Sequence, residues 1–218
     1  MCANFHESNF PTIRCIEQKI KAPLINDKVL PDTIRGILDD YNLKGFLSPG
    51  ESIALTGSSR GMDVQDIILK SIVDYLKDAG VKPFIIPAMG SHGGGTEKGQ
   101  MRILDDYGIN EKTMGCPIKA SMEVIKIGTS QFDTPVYLDK YASQADKIII
   151  VNRIKSHSIF SGSVESGLSK MTVIGLGKHQ GAKLYHRLVK KYGWEEFIEE
   201  YRKIMIKRTP IICGLGVI

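Results

Sequence analysis

The sequence predicts an α/β fold, in which a mostly parallel sheet carries helices on both faces. Short β-type runs alternate along the 218 residues with longer segments of helical period, as expected for stacked βα units. Hydrophobic residues make up 42% and charged residues 24% of the chain, which are ordinary values for a globular protein. No internal repeat or linker divides the sequence. We therefore expect residues 1–218 to form a single Rossmann-like domain.

The first predicted elements form a β-loop-α-β unit. Its strands are residues 52–56 and 83–87, and the helix between them can be capped by Asp63 and ended by Gly80. Further helices are predicted at about residues 96–106, 181–192 and 193–208. The remaining predicted strands are residues 123–127, 147–152, 171–175 and 210–218.

Several classes of protein are excluded by simple patterns. The longest apolar runs, at residues 148–151 and 211–218, are far shorter than the roughly 20 residues of a membrane-spanning helix. No secretory signal is evident at the amino terminus, so a cytoplasmic location is expected. The apolar, β-prone end lacks a polar finish, which predicts that the natural polypeptide continues. The four cysteines form no C-x-x-C pair, which argues against a zinc knuckle and a disulfide framework: Cys2, Cys15, Cys116 and Cys213.

The positive charge is concentrated in the last third of the chain. The formal net charge is +5, and from Val151 onward 12 Lys and Arg face 5 Asp and Glu, a local balance of +7. This excess motivates one alternative hypothesis, a basic nucleic-acid-binding α/β module. Such a module needs aromatic side chains among its basic ones on an exposed face. Here Tyr185, Tyr192 and Tyr201 fall on apolar stripes instead, so no nucleic-acid partner is expected.

Two loops that follow predicted strands carry candidate binding residues, because ligands collect at the carboxyl ends of strands in open α/β sheets. Arg60 lies among serines and glycines after the first strand, where it can hold a carboxylate or a phosphate, or remain a solvated loop residue. His92 lies among five glycines after the second strand. Glycines let backbone amides approach a ligand, but no G-K-[ST] sequence makes this a Walker A loop.

A third region, residues 152–187, is the richest in polar candidates. His157 follows the strand predicted at 147–152, and the sequence GLGKHQG is one residue too long for the dinucleotide-binding G-x-G-x-x-G pattern. On the helix predicted from Gly181, His186 lies roughly 130° from the centre of the apolar face. We therefore expect His186 on the surface, where it shares its face with Lys183 and Lys190. A ligand or metal role, or a solvated basic surface, remains open for this face.

Arg60, His92, His157, Lys170 and His186, in this order, resemble the nickel-pincer lactate racemase family, whose amino-terminal domain is also known as a domain of unknown function. The resemblance covers roughly residues 52–187. It is carried by the loops GSSRG and GSHGGGTEKGQ and by the pattern H-x(12)-K-x(15)-H, with SGLSK around the lysine. An ordered set of this kind is more specific than any single motif.

The resemblance implies a role for each of these residues. Lys170 would carry the cofactor, a nickel pyridinium-3,5-bisthiocarboxylic acid mononucleotide (the pincer), and His186 would bind the nickel. His92 and His157 would act as acid and base, and Arg60 would orient the substrate. The implied reaction is racemisation or epimerisation of a 2-hydroxy acid such as lactate, through removal and return of hydride at Cα.

The resemblance also implies partner enzymes and a second domain with a separate role. Residues 1–218 correspond to the cofactor-carrying domain, and the family's second domain, which closes over the site, is outside this sequence. We therefore expect this chain alone to lack the cofactor and to have little or no activity, and enzymes of pincer synthesis to be its partners. A family member that kept the fold without catalysis is a further alternative.

Overall fold

The computed structural model of the chain describes residues 25–59, 62–156 and 162–218. Short 3-10 helices lie at Leu43–Phe46, Gly93–Gly95 and Ala142–Gln144. The other elements, in chain order, are α1 (Leu30–Asp40), β1 (Ser52–Gly57), α2 (Gln65–Asp78), β2 (Lys82–Pro87), α3 (Glu97–Asp106), α4 (Glu111–Met114), β3 (Val124–Thr129), β4 (Pro135–Asp139), β5 (Lys147–Arg153), α5 (Leu168–Lys170), a π-helix (Met171–Gly175), α6 (Lys178–Tyr192), α7 (Trp194–Arg208) and β6 (Ile211–Val217).

Within the described ranges, four parallel strands form the main sheet in the order β2-β1-β5-β6. At its centre, Leu55 of β1 pairs with Ile85 of β2 on one side and with Ile149 of β5 on the other. Because all pairs are parallel, the carboxyl ends of the strands lie at one edge of the sheet. The predictions for these four strands are confirmed to within one residue at each end.

Helices cover both faces of the sheet, as predicted. In β1, Ile53 and Leu55 join a hydrophobic cluster with α1 and α2, whereas Ala54 between them joins a second cluster with α6 and α7. This alternation places successive side chains on opposite faces, and each face is covered by its own helical layer. The fold is therefore α/β.

A separate hairpin packs against the α7 side of the molecule. Strand β3 pairs with β4 in antiparallel register, and Val136 and Leu138 of β4 are buried in the second cluster. The strand predicted at residues 123–127 is thus confirmed as β3, with its bounds shifted toward the carboxyl end. The pattern of the sequence does not predict β4, because this strand has five residues and begins with Pro135.

The prediction of a strand at residues 171–175 is wrong, because Met171–Gly175 is a π-helix. The β-branched Thr172, Val173 and Ile174 resemble a short buried strand in sequence. In the structure, Met171 and Val173 pack into the second cluster, and the Leu176 amide donates to the Met171 carbonyl at 3.0 Å, the five-residue spacing of a π turn. Tertiary packing therefore overrides local propensity here.

The helix boundaries correct two further expectations. Val64 precedes the first residue of α2 and no side chain caps this helix, so the prediction that Asp63 is its cap is wrong. Gly80, at φ 76°, follows the end of α2 as predicted. Thr96 caps α3 by accepting a hydrogen bond from the Gly99 amide, and α6 begins at Lys178, three residues before its predicted start.

The carboxyl-terminal helices also bear on the nucleic-acid hypothesis. Tyr185 and Tyr201 are buried in the second cluster, and Tyr192 is half-buried beside it. These rings therefore do not supply the exposed aromatic surface that such a module requires.

In the described part of the chain, no helix has both the length and the apolar character needed to cross a membrane.

Candidate active site

A cavity of about 300 Å³ lies at the carboxyl-terminal edge of the sheet. Three strand ends reach it: Ser58 and Ser59 follow β1, Ala88 and Met89 follow β2, and Asn152 is near the end of β5. The segment from Lys170 to Gly175 forms another part of its wall. This is the position at which parallel α/β sheets bind ligands, and the predicted site residues His92 and Lys170 both line it.

His92 is half-buried and is oriented by a serine from the neighbouring loop. The Ser59 hydroxyl forms a hydrogen bond with Nδ1 of His92, in which the imidazole tautomer decides which group donates. The Ser59 carbonyl in turn accepts a 3.5 Å hydrogen bond from the Tyr107 hydroxyl of the turn after α3. The loops after β1 and β2 are therefore joined at the His92 ring.

The glycines after His92 are required by the path of the backbone. Gly93, Gly94 and Gly95 have φ values of 65°, 67° and 63°, a region that other L-residues rarely adopt. A Cβ added to Gly93 would lie 2.5 Å from the carbonyl carbon of Gly99 in α3. The glycine-rich loop therefore folds back tightly on the start of α3, and this fixes where the chain leaves His92.

Lys170 is half-buried at the end of α5, directly before the π-helix. The turn that leads to it is anchored to the sheet, since the Asn152 side-chain amide donates to the Gly167 carbonyl at 2.9 Å. The Thr172 hydroxyl donates to the Leu168 carbonyl at 2.9 Å. The segment that presents Lys170 is thus tied to β5 just before α5 begins.

Arg60 and His157 lie outside the described residues. Their sequence neighbours Ser59 and Ser156 do line the cavity. Ser58, the residue before Ser59, forms a hydrogen bond with the buried Gln65 through its hydroxyl. The Ser58 carbonyl accepts a second hydrogen bond from Nε2 of Gln65 at 3.2 Å. The roles predicted for Arg60 and His157 remain predictions.

His186 is exposed on α6, as the sequence predicts, but it is not among the residues that line the cavity. Its ring lies 4.7 Å from that of Tyr185, at an interplanar angle of 52°. The structure therefore brings together two of the five predicted site residues, His92 and Lys170, within the ranges that it describes. Over those same ranges, no group of three or more His, Cys, Asp or Glu side chains is arranged to hold a metal ion.

Sequence reasoning does not identify the buried pair that lies behind the His92 loop. Lys178 and Asp139 are both fully buried, and Nζ of Lys178 lies 3.1 Å from Oδ2 of Asp139. Burial raises the pKa of Asp139 and lowers that of Lys178, and the opposite charge of each partner counteracts the shift. The two residues are far apart in sequence and no motif links them.

The family model described as the lactate racemase N-terminal domain matches residues 12–195. The structure of the lactate racemase apoprotein from Thermoanaerobacterium thermosaccharolyticum is similar, with a TM-score of 0.63 and 16% sequence identity, over 87% of this chain and 49% of that chain. At this identity the likeness establishes the fold alone.

This chain spans about half the length of the lactate racemase apoprotein. No curated protein sequence matches it significantly. The family model nevertheless covers most of the chain, including the cavity and all five predicted site residues. The chain belongs to the family of lactate racemase N-terminal domains.

Proposed function

We propose that this chain is the cofactor-carrying domain of a nickel-pincer-dependent racemase or epimerase of 2-hydroxy acids. The observation that carries the proposal is that His92 and Lys170 line one cavity at the carboxyl-terminal edge of the sheet, in a member of this family. His92 serves as an acid and base, and Lys170 is the attachment point of the cofactor. His157, Arg60 and His186 complete the proposed set.

The reaction needs two proton-transfer groups. Inverting a 2-hydroxy acid removes the hydroxyl proton and a hydride from Cα, passes through a planar 2-oxo acid, and returns both to give the opposite configuration. An imidazole suits this proton transfer because it titrates near neutral pH. His92 receives the hydroxyl proton of one enantiomer and His157 that of the other. The Ser59 hydrogen bond to Nδ1 holds the His92 ring in place.

The cavity fits the proposed cofactor in part. Lys170 reaches it as a half-buried amine, and hydroxyl and basic side chains of Ser59, Ser166, Arg153 and Lys155 also line it, which suits the phosphate of a mononucleotide. The bound cofactor would supply the hydride-accepting centre. His186, which would bind the nickel, is not among the described residues that line the cavity.

The substrate is held by its carboxylate in this proposal. Arg60, whose guanidinium can match a carboxylate bidentately, directly follows Ser59 in the sequence. A second α/β domain of the family would close over the cavity and add contacts that decide among lactate and other 2-hydroxy acids. Specificity therefore belongs to the complete enzyme.

The direct test is the chemical state of Lys170. The full-length protein, with the second domain of the family, is produced together with the enzymes of pincer synthesis, and its nickel content and the mass of the peptide that contains Lys170 are measured. We expect the peptide that contains Lys170 to carry an added mass and the protein to contain nickel. We expect the Lys170→Arg variant to have neither. An unmodified lysine and no nickel would refute the cofactor assignment.

Turnover of the loaded protein separates catalysis from binding. Racemisation of a panel of 2-hydroxy acids is followed by chiral chromatography, with His92→Ala compared to the unchanged protein. We expect loss of racemisation in His92→Ala with nickel and modified Lys170 retained. Equal turnover in both proteins would remove His92 from the mechanism, and no turnover of any substrate by the loaded full-length protein would favour the non-catalytic alternative.

A further inference from the structure

The buried Lys178 joins elements on either side of the candidate active site. Its side chain is fully buried, and Nζ contacts three oxygens: the Pro87 carbonyl, Oε1 of Gln100 at 3.1 Å, and Oδ2 of Asp139 at 3.1 Å. The contacts with Pro87 and Gln100 are hydrogen bonds, and the contact with Asp139 is an ion pair. Lys178 thereby connects the end of β2, helix α3 and the end of β4 at the start of α6.

Gln100 extends these contacts to the backbone beside His92. Its side chain is fully buried, and Nε2 donates to the Gly90 carbonyl at 2.9 Å and to the His92 carbonyl at 3.3 Å. Pro87, which Lys178 binds, is the last residue of β2. The loop that carries His92 is therefore held at its beginning by Lys178 and at two later carbonyls by Gln100.

The His92 loop also contacts the segment that presents Lys170. The Gly90 amide donates to the Gly175 carbonyl at 3.4 Å, and Gly175 ends the π-helix that begins directly after Lys170. Three residues after Gly175, Lys178 has a φ of 54°, a backbone conformation that lysine rarely adopts. Holding a lysine in this conformation is consistent with a requirement for its side chain at that point.

From this geometry we infer that Lys178, Gln100 and Asp139 form a positioning bridge, which sets the path of the His92 loop relative to the segment that presents Lys170. The inference rests on the proposed function of His92 and deepens it. The three side chains do not line the cavity, so they act through the backbone carbonyls of residues 87, 90 and 92 and not on the substrate. Asp139 holds Lys178 in place, and its Oδ1 also accepts from the Ala142 amide at 2.9 Å.

The test uses two variants of Gln100. Gln100→Met fills a similar volume and removes both donors to the His92 loop, while Gln100→Glu keeps an acceptor for Lys178 but, when ionised, has no N–H to donate. Tyr75→Phe is the matched control, because it removes a hydrogen bond from a fully buried side chain on the other face of the sheet, between α1 and α2.

The first readout is the imidazole signal of His92 in a carbon–proton correlation spectrum of histidine-labelled protein, assigned with His92→Ala. We expect both Gln100 variants to shift this signal, and Tyr75→Phe to leave it in place. A network that serves stability alone would lower the melting temperature of all three variants and leave the His92 signal unchanged. That result would overturn the inference, as would failure of both Gln100 variants to fold.

The second readout applies to the cofactor-loaded protein. We expect Gln100→Met to lower kcat roughly ten- to hundredfold with little change in KM, because misplacing a reacting group affects the chemical step. The spectroscopic readout does not need turnover, so the bridge can be tested even if the racemase proposal fails. Conversely, unchanged kcat and an unshifted His92 signal in an active racemase would overturn the bridge and leave the proposed function intact.

Discussion

The hydroxyl of Ser59 is hydrogen-bonded to Nδ1 of His92, and this contact joins the loop after β1 to the loop after β2 at the candidate active site. Ser59 comes directly before Arg60 in the sequence. The residue proposed to bind the substrate carboxylate and the residue proposed to move its hydroxyl proton are thus linked through one serine.

Ser59→Ala should reduce turnover by the loaded protein roughly fivefold, which corresponds to about 1 kcal/mol for one lost hydrogen bond. The imidazole would lose the partner that orients it, so kcat should fall more than KM rises. Ser71→Ala is the control, since its hydroxyl bonds to the Ile67 carbonyl within α2, away from the cavity. Steady-state kinetics that do not differ between the two variants would contradict this role of Ser59.

Gly93→Ala should destabilise the protein more than Gly94→Ala does. Both glycines have positive φ, so each substitution incurs about 1–2 kcal/mol of backbone strain. The new Cβ at position 93 would also lie 2.5 Å from a backbone carbon of Gly99, whereas nothing lies within 4 Å of a Cβ at position 94. The two urea unfolding midpoints measure the difference, and equal midpoints would mean that the loop can move away from α3.

Much of the fold could be predicted from the sequence, because the strands of the main sheet are short apolar runs separated by amphipathic helices. The π-helix at Met171–Gly175 could not, since its β-branched residues have strand propensity and only their packing in the second cluster decides the outcome. The hairpin strand β4 is similarly set by its pairing with β3.

The candidate site could be predicted only where a motif marks it. His92 and Lys170 are identified by resemblance, and the structure places both on one cavity. Ser59 and Lys178 have no such mark, because their importance depends on partners distant in sequence, His92 and Asp139. The spacing of residues along the sequence does not predict such contacts, because they form only when the strands assemble in the order of the sheet.

Cys116 should react slowly with alkylating reagents in the native protein. Burial raises the pKa of its thiol to about 11, so at pH 8 roughly one molecule in a thousand carries the reactive thiolate. Peptide-resolved labelling with iodoacetamide, with and without urea, measures this protection, and the urea-unfolded chain is the internal control. Rapid native labelling of Cys116 would show that the segment before β3 opens readily.

Acid should destabilise the protein partly through Glu51. The Lys147 ammonium and the Ser48 amide bind this carboxylate and hold the pKa of Glu51 below its ordinary value of 4.5. Its contribution to stability is therefore fully present above about pH 4.5 and is lost as the pH falls through the lowered pKa. Glu51→Gln should lower the urea midpoint at pH 7 and make its decline between pH 7 and pH 3 less steep. Parallel declines for the two proteins would contradict the assignment.

Removing one charge of the Lys178–Asp139 pair should be much more harmful than removing both. Lys178→Met leaves the buried Asp139 carboxylate without its partner, a change that typically costs about 3–5 kcal/mol, whereas replacing both members of a buried pair is often close to neutral. In Lys178→Met/Asp139→Asn, the asparagine still offers its side-chain oxygen to the Ala142 amide. We therefore expect the double variant to be more stable than Lys178→Met in urea unfolding. A double variant that is no more stable than the single one would mean that the uncompensated carboxylate is not the source of the loss, and that the contacts of Lys178 with Pro87 and Gln100 are.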